Sequence, residues 1–280
     1  MKQGKVLVIG GSGKVGSGIA QILRAQNYEV VTATSRKAGA GQVHLNQVTG
    51  EGLHAAFEGV DRAFLLAPPG IVDQYALLSP LIQEAKRRGL KKVVLMTSMG
   101  ANASDATPFR RAELELEKSG LAYNIIRPNW FMDNFHTFWI QGIKEAGTIF
   151  LPAGTAKTSF IDAGDISAVA AKLLTTDQWN DRDFDLTGGE ALDHDQVARA
   201  LSEASGREIK YQDISPEDFV QGLKGAGLPA DYSEFLGMIM GYVKAGYSAA
   251  INDNVRTITG RAPRTLQDYA KANRAQFLKG

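Results

Sequence analysis

Short β-branched runs alternate along the first half of the chain with segments whose apolar residues return at helical spacing. Residues 5–9 form a compact apolar run that ends in Gly10-Gly11-Ser12-Gly13. Directly after it, Val15, Ile19, Ile22 and Leu23 fall at i, i+4, i+7 and i+8, one face of a helix. The same alternation predicts strands at 28–33, 42–45, 62–66, 92–97 and 123–127, with helices at 53–58, 71–88 and 108–118. Pro80 falls inside the longest helix, where a kink is expected, or a restart with Ser79 as N-cap. Strand-helix alternation of this kind predicts a parallel sheet covered by helices on both faces.

Beyond Arg127 the pattern loosens. An aromatic-rich stretch, 128–147, leads to short predicted strands at 148–151, 159–161 and 183–186 and to helices at 165–174 and 193–204. The last helix has Asp193 as its cap. The tail reads as mostly helical, with turns at Ser215-Pro216, Gly227-Leu228-Pro229 and Ala262-Pro263. No linker-like tract interrupts the chain. The expected organisation is an α/β, doubly wound, parallel-sheet part over 1–155, with a smaller, mainly helical C-terminal part over 156–280 packed on it as one body.

Composition narrows the chemistry. The 280 residues are 44% hydrophobic and 22% charged, and 31 Lys+Arg against 30 Asp+Glu leave a formal charge of +1. Without a basic excess, nucleic acid is not an expected partner. There are no cysteines, so disulfides, thiolate metal sites and Cys nucleophiles are excluded. The four histidines, His44, His54, His136 and His194, show no ligand spacing, and no metal is expected. No apolar run is long enough for a signal core or a membrane span, so a soluble, cytoplasmic protein is expected. A homodimer remains open.

Gly10-x-x-Gly13-x-x-Gly16 lies between the first strand and the first helix. In that context three glycines predict a dinucleotide-binding turn of Rossmann type. The first makes the tight turn, the second lets backbone approach a pyrophosphate, and the third packs the helix against the sheet. The plain alternative is a strand-helix turn. About twenty residues on, NAD-binding chains carry an acid for the ribose hydroxyl. This chain has Thr34-Ser35-Arg36-Lys37 instead. Hydroxyls, a guanidinium and an ammonium suit a 2′-phosphate, so NADP(H) is expected over NAD(H); a solvated turn is the alternative.

These motifs resemble the NmrA-like, atypical short-chain dehydrogenase/reductases. So do Leu66-Ala67-Pro68-Pro69-Gly70, the run from Ile126 to Asn134, Thr148 to Gly154, Ser159 to Asp162, and Thr259-Gly260-Arg261-Ala262-Pro263. The resemblance implies an NAD(P)H-dependent reductase of quinones, azo dyes, triarylmethane dyes or iminium compounds. It also admits a non-catalytic NADP(H) sensor that regulates a protein partner. It implies phosphate contacts at Gly10, Ser12, Gly13, Lys14 and Val15 beside Gly16, and a 2′-phosphate at Arg36 flanked by Ser35 and Lys37. Ala67, Pro68 and Pro69 are implied along the cofactor, and Thr97 and Ser98 near the nicotinamide. Asn46 stands where the family often has an Asp near the adenine.

A catalytic acid is hard to find. No tyrosine is followed by lysine at +4, the pair that activates a phenol in typical short-chain dehydrogenases. Several NmrA-like enzymes place His or Lys four residues before a Glu. Here the Glu is Glu113, and Phe109 holds the other position. Ser98 is the hydroxyl still suggestively placed, as a catalytic candidate or as a turn residue. Activated acceptors take hydride without such help, so a small aromatic or quinonoid substrate fits better than a ketone. Phe109, Asn129, Trp130 and Phe131 are candidates for its pocket, and Met238, Met240, Tyr242 and Tyr247 for its closure. Ordinary helix core is the alternative for the aromatic set.

Overall fold

A computed structural model describes residues 3–278. In chain order the elements are β1 (Lys5–Val8), α1 (Lys14–Ala25), β2 (Glu29–Thr34), β3 (Gln42–His44), α2 (Leu53–Ala56), β4 (Arg62–Leu65), α3 (Gln74–Arg88), β5 (Lys92–Met96), α4 (Pro108–Glu117) and β6 (Tyr123–Pro128). They continue as α5 (Ile140–Ala146), β7 (Thr148–Leu151), α6 (Ala163–Thr175), β8 (Arg182–Leu186), α7 (His194–Ser205) and β9 (Lys210–Asp213), then α8 (Pro216–Gly225), α9 (Ala230–Lys244), α10 (Asn254–Thr259) and α11 (Leu266–Ala272).

Seven strands form one sheet in the order β3-β2-β1-β4-β5-β6-β8, every pairing parallel. The order reverses between β1 and β4, which opens a crevice beyond the carboxyl ends of those two strands. Val6, Leu7, Val8, Phe64, Val93, Val94 and Leu95 are fully buried, as strands covered on both faces require. Helix α1 buries the stripe Val15, Ile19, Ala20 and Leu23, and Ser167 of α6 locks against it by donating to the Val15 carbonyl at 2.9 Å.

The chain divides into two compact units, neither continuous in sequence. Unit 1 holds 1–128, 163–186 and 257–260; unit 2 holds 129–162, 187–256 and 261–280. A single boundary at 155 does not describe this division, because α6 and β8 belong with the large sheet. Unit 2 pairs β7 with β9 in parallel and buries Met132, Phe135, Phe160, Leu201, Val243 and Tyr269 among its helices.

Three expectations need correction. Helix α3 does not restart at Ser79. It runs unbroken from an Asp73 cap through Pro80. Burial of Leu77, Leu78, Leu81 and Ile82 on both sides holds it through the missing hydrogen bond, and the Ser79 hydroxyl accepts from Gln83 instead of capping. Residues 159–161 are not a strand: two isolated bridges, Phe131 with Ile161 and Thr158 with Leu192, are all that forms there. Conversely β9 lies in a tail expected to be mostly helical, since Lys-Tyr-Gln-Asp has too little apolar character to announce a strand.

Candidate cofactor edge and substrate residues

The carboxyl ends of β1, β2, β4 and β5 bring the predicted cofactor residues of unit 1 to one edge of the sheet. Gly10 turns the chain with φ +70°, a conformation side chains rarely take. A Cβ on Gly16 would sit 2.3 Å from the Gly10 carbonyl oxygen, so helix and turn can approach this closely only with glycine there. Gly11, which the three-glycine spacing does not single out, is equally constrained: its Cβ would lie 2.4 Å from that of Thr32. Gly13 is different. Its backbone is extended (φ −83°, ψ 170°), and an added Cβ would meet only the Gly10 oxygen, at 3.3 Å. The fold itself asks little of Gly13.

Gly13 is also the N-cap of α1. No side chain caps that end and no acid lies in its first turn. The orphan N–H groups and the positive end of the helix dipole therefore face outward beside exposed Ser12 and Lys14, while Val15 turns its side chain into the core. This donor set fits the pyrophosphate of a dinucleotide.

At the end of β2, the Thr34 hydroxyl accepts from the Arg36 N–H at 3.2 Å, and His44 Nδ1 lies 3.2 Å from the Arg36 carbonyl oxygen. The turn is thus held by its neighbours, and Ser35, Arg36 and Lys37 are exposed. Neither Arg36 nor Lys37 has an acidic partner among the described residues. Asn46 closes its own loop by accepting from the Val48 and Thr49 N–H groups. After β4, Ala67 and Pro68 are half-buried and Pro69 is exposed.

Thr97 and Ser98 share the end of β5. Thr97 is buried and donates its hydroxyl proton to Glu113 Oε1 at 2.6 Å. Ser98 is half-buried and its hydroxyl has no partner among the described residues. Behind Thr97 lies a network that spacing alone could not show. Arg127 grips Glu113 with two bonds of 2.8 and 2.7 Å and reaches Asp183, while Arg110 adds a bond of 3.0 Å to the same carboxylate. Burial opposes the Arg127 charge, but the bonds to Glu113 and Asp183 outweigh it and raise its pKa. Glu113 is fully buried and both its oxygens are engaged. One turn earlier, Phe109 is half-buried against the unit 1 core.

In unit 2, Asn129 is buried, and its amide nitrogen donates to Ser159 Oγ at 2.7 Å and to the Ser248 carbonyl at 2.8 Å. Trp130 and Phe131 remain half-buried. Phe135 and Met240 are core, whereas Phe138, Met238, Tyr242 and Tyr247 are exposed. Among the described residues no His/Asp/Glu group is placed to hold a metal ion, and no helix is long and apolar enough to cross a membrane.

Known proteins share the sequence pattern and the fold. An NAD(P)H azoreductase of Xenophilus azovorans is 32% identical, the alignment covering 97% of this chain and 99% of that protein. An uncharacterized oxidoreductase of Bacillus subtilis is 33% identical over 99% of this chain and 98% of its own. The triphenylmethane reductase of a Citrobacter species shares the fold, with a TM-score of 0.82 at 20% identity over 97% of this chain and 99% of that one. The sequence pattern of the NmrA-like family matches residues 2–269, and the chain belongs to that family.

Proposed function

We propose that this NAD(P)H-dependent oxidoreductase uses NADPH in preference to NADH and reduces an activated, conjugated acceptor of quinone, azo, iminium or triarylmethane type. The observation that carries the reading is the chemistry at the strand ends. An exposed Arg36-Lys37 turn without an acidic partner among the described residues follows β2, and after β5 the position four residues before Glu113 is Phe109. Backbone N–H groups from Ser12 to Val15 would hold the pyrophosphate, and Arg36 would grip a 2′-phosphate with paired hydrogen bonds. When bound, the reduced nicotinamide supplies the hydride.

The chain's own residues decide which acceptors suit. Glu113 is committed to Arg127, Arg110 and Thr97, and Thr97 has given its hydroxyl to Glu113. Phe109 stands where several NmrA-like enzymes have a His or Lys, and it is half-buried against the apolar core of unit 1. Such a site favours acceptors whose electron-poor atom takes hydride unaided and draws its proton from solvent. The azoreductase relative bears the name of one such acceptor class.

NADPH oxidation against a panel of quinones, azo dyes, imines and ketones tests this. Turnover is expected for conjugated acceptors. Phe109→His should leave the best of them within about tenfold, since general acid help, commonly worth ~10²–10⁴-fold, is not limiting there. Ser98→Ala should have a comparably small effect. No turnover with any acceptor, together with a protein partner whose affinity follows NADPH, would make the chain a sensor. A ketone as best substrate would overturn the unaided-acceptor reading.

A further inference from the structure

Unit 2 holds a group of polar side chains that no part of the cofactor edge uses. Trp139 Nε1, Thr158 Oγ1 and His194 Nδ1 are buried without a hydrogen-bond partner among the described residues. All three residues line one crevice, together with Trp130, Phe160 and Met240. Thr158 is 0% and His194 1% exposed. Interiors leave few polar atoms unpaired, because each forfeits the hydrogen bonds it had in water. Three around one crevice point to a missing partner there.

The walls say what kind of partner. Trp139 stands 5.7 Å from Trp130 and 5.0 Å from Phe135, ring centre to centre. Phe135 meets Phe160 at 5.2 Å, and Phe160 meets His194 edge-on at 5.6 Å. The surroundings are aromatic and suit a flat ring. The polar atoms are held from behind. The Thr158 backbone is tied to Leu192 by bonds of 2.9 and 3.0 Å, and His194 opens α7 directly after the Asp193 capping box. Burial keeps the imidazole neutral, its pKa pushed down to about 4, so Nδ1 donates or accepts according to tautomer. As packed, the crevice leaves no room for a water molecule, so water does not complete these groups without movement. Half-buried Trp130 and the unbranched Met240 are the walls best able to give way.

We infer that this crevice is the closed form of a subsite for the polar rim of a flat aromatic ligand, a phenolic hydroxyl or ring carbonyl. Trp139 can only donate and so needs an acceptor, whereas Thr158 and His194 can each do either. A phenolic oxygen accepts from Trp139 and donates to Thr158 or His194, satisfying two groups with one atom. A ring carbonyl accepts from both sides. The inference deepens the reading of a planar conjugated substrate, and cofactor-free binding tests it apart from that reading.

The experiment compares 4-hydroxyazobenzene with azobenzene on the full chain without NADPH, by tryptophan fluorescence and calorimetry. The wild type is expected to bind the hydroxyl compound at least tenfold tighter. Thr158→Val and His194→Phe should each cut that preference fivefold or more while leaving azobenzene affinity within twofold. Thr158→Val should also raise the Tm of the free chain, because an unpaired buried hydroxyl is gone. Equal wild-type affinity for the two compounds overturns the inference, as does a preference that survives both substitutions. A lower Tm for Thr158→Val overturns it too, since the hydroxyl must then be bonded in the free protein. Absent NADPH turnover, a separate assay, bears on the redox reading alone.

Discussion

Two buried polar clusters, one in each unit, are opposite in kind. In unit 1, the Glu113 carboxylate receives Thr97, Arg110 and Arg127, and every oxygen is occupied. In unit 2, Trp139, Thr158 and His194 surround a crevice with donors and acceptors to spare. A satisfied network rigidifies what it touches, here the ends of β5 and β6 and the helix α4. An unsatisfied one costs stability until something binds. The first belongs to the scaffold of a site, the second to a site.

Removing one partner from the satisfied network should therefore have a large effect. Arg127→Met leaves Glu113 buried with only Arg110 to balance it, and should cost about 3–5 kcal/mol in urea denaturation. Adding Glu113→Leu should recover part of that loss. A single-variant cost under ~1 kcal/mol would erase the contrast with Thr158→Val, which is expected to stabilise.

The glycines of the β1–α1 turn divide in the same way, between fold and ligand. Gly16→Val should fail to fold stably, because its Cβ meets the Gly10 oxygen. Gly13→Val should fold and yet lose the thermal shift given by NADPH, about 2.7 kcal/mol of stabilisation at a hundred times Kd. A Gly13→Val chain that keeps the wild-type shift would remove Gly13 from the cofactor edge.

A smaller effect is expected at the end of β2. Calorimetry on Arg36→Ala should show NADPH bound some 10–100-fold more weakly, about 1.5–3 kcal/mol for a lost charged hydrogen-bonding partner, with NADH unchanged. Equal wild-type affinity for the two cofactors would overturn the preference.

The smallest expected effect separates the clusters by pH. His194 is held from 6.5 down to about 4 by burial, so the folded state resists a proton that the unfolded chain accepts. Its contribution is whole above 6.5 and is lost as pH falls from 6.5 towards 4. Between pH 7 and 5 the wild type should lose about 1–2 kcal/mol more than His194→Phe. Parallel pH curves would mean that the imidazole is not sealed in the crevice.

The strands and the glycine turn after β1 were legible in the residues alone because they are made locally. A β-branched run, a turn that needs Gly10 at positive φ, and the period of Val15, Ile19 and Leu23 each act over a few residues. The Arg36 turn follows from its place at the end of β2. Other features depended on which side chains meet across distant segments. Thr97 and Asn129 stand out by position, but their partners, Glu113 for one and Ser159 with Ser248 for the other, do not. Pro80 reads as a kink or a restart, and the helix continues through it with buried residues on both sides. Trp139, Thr158 and His194 carry no shared spacing, and only tertiary packing brings them to one crevice. Backbone conformation answers to neighbours in sequence, whereas the satisfaction of a buried polar atom answers to neighbours in space.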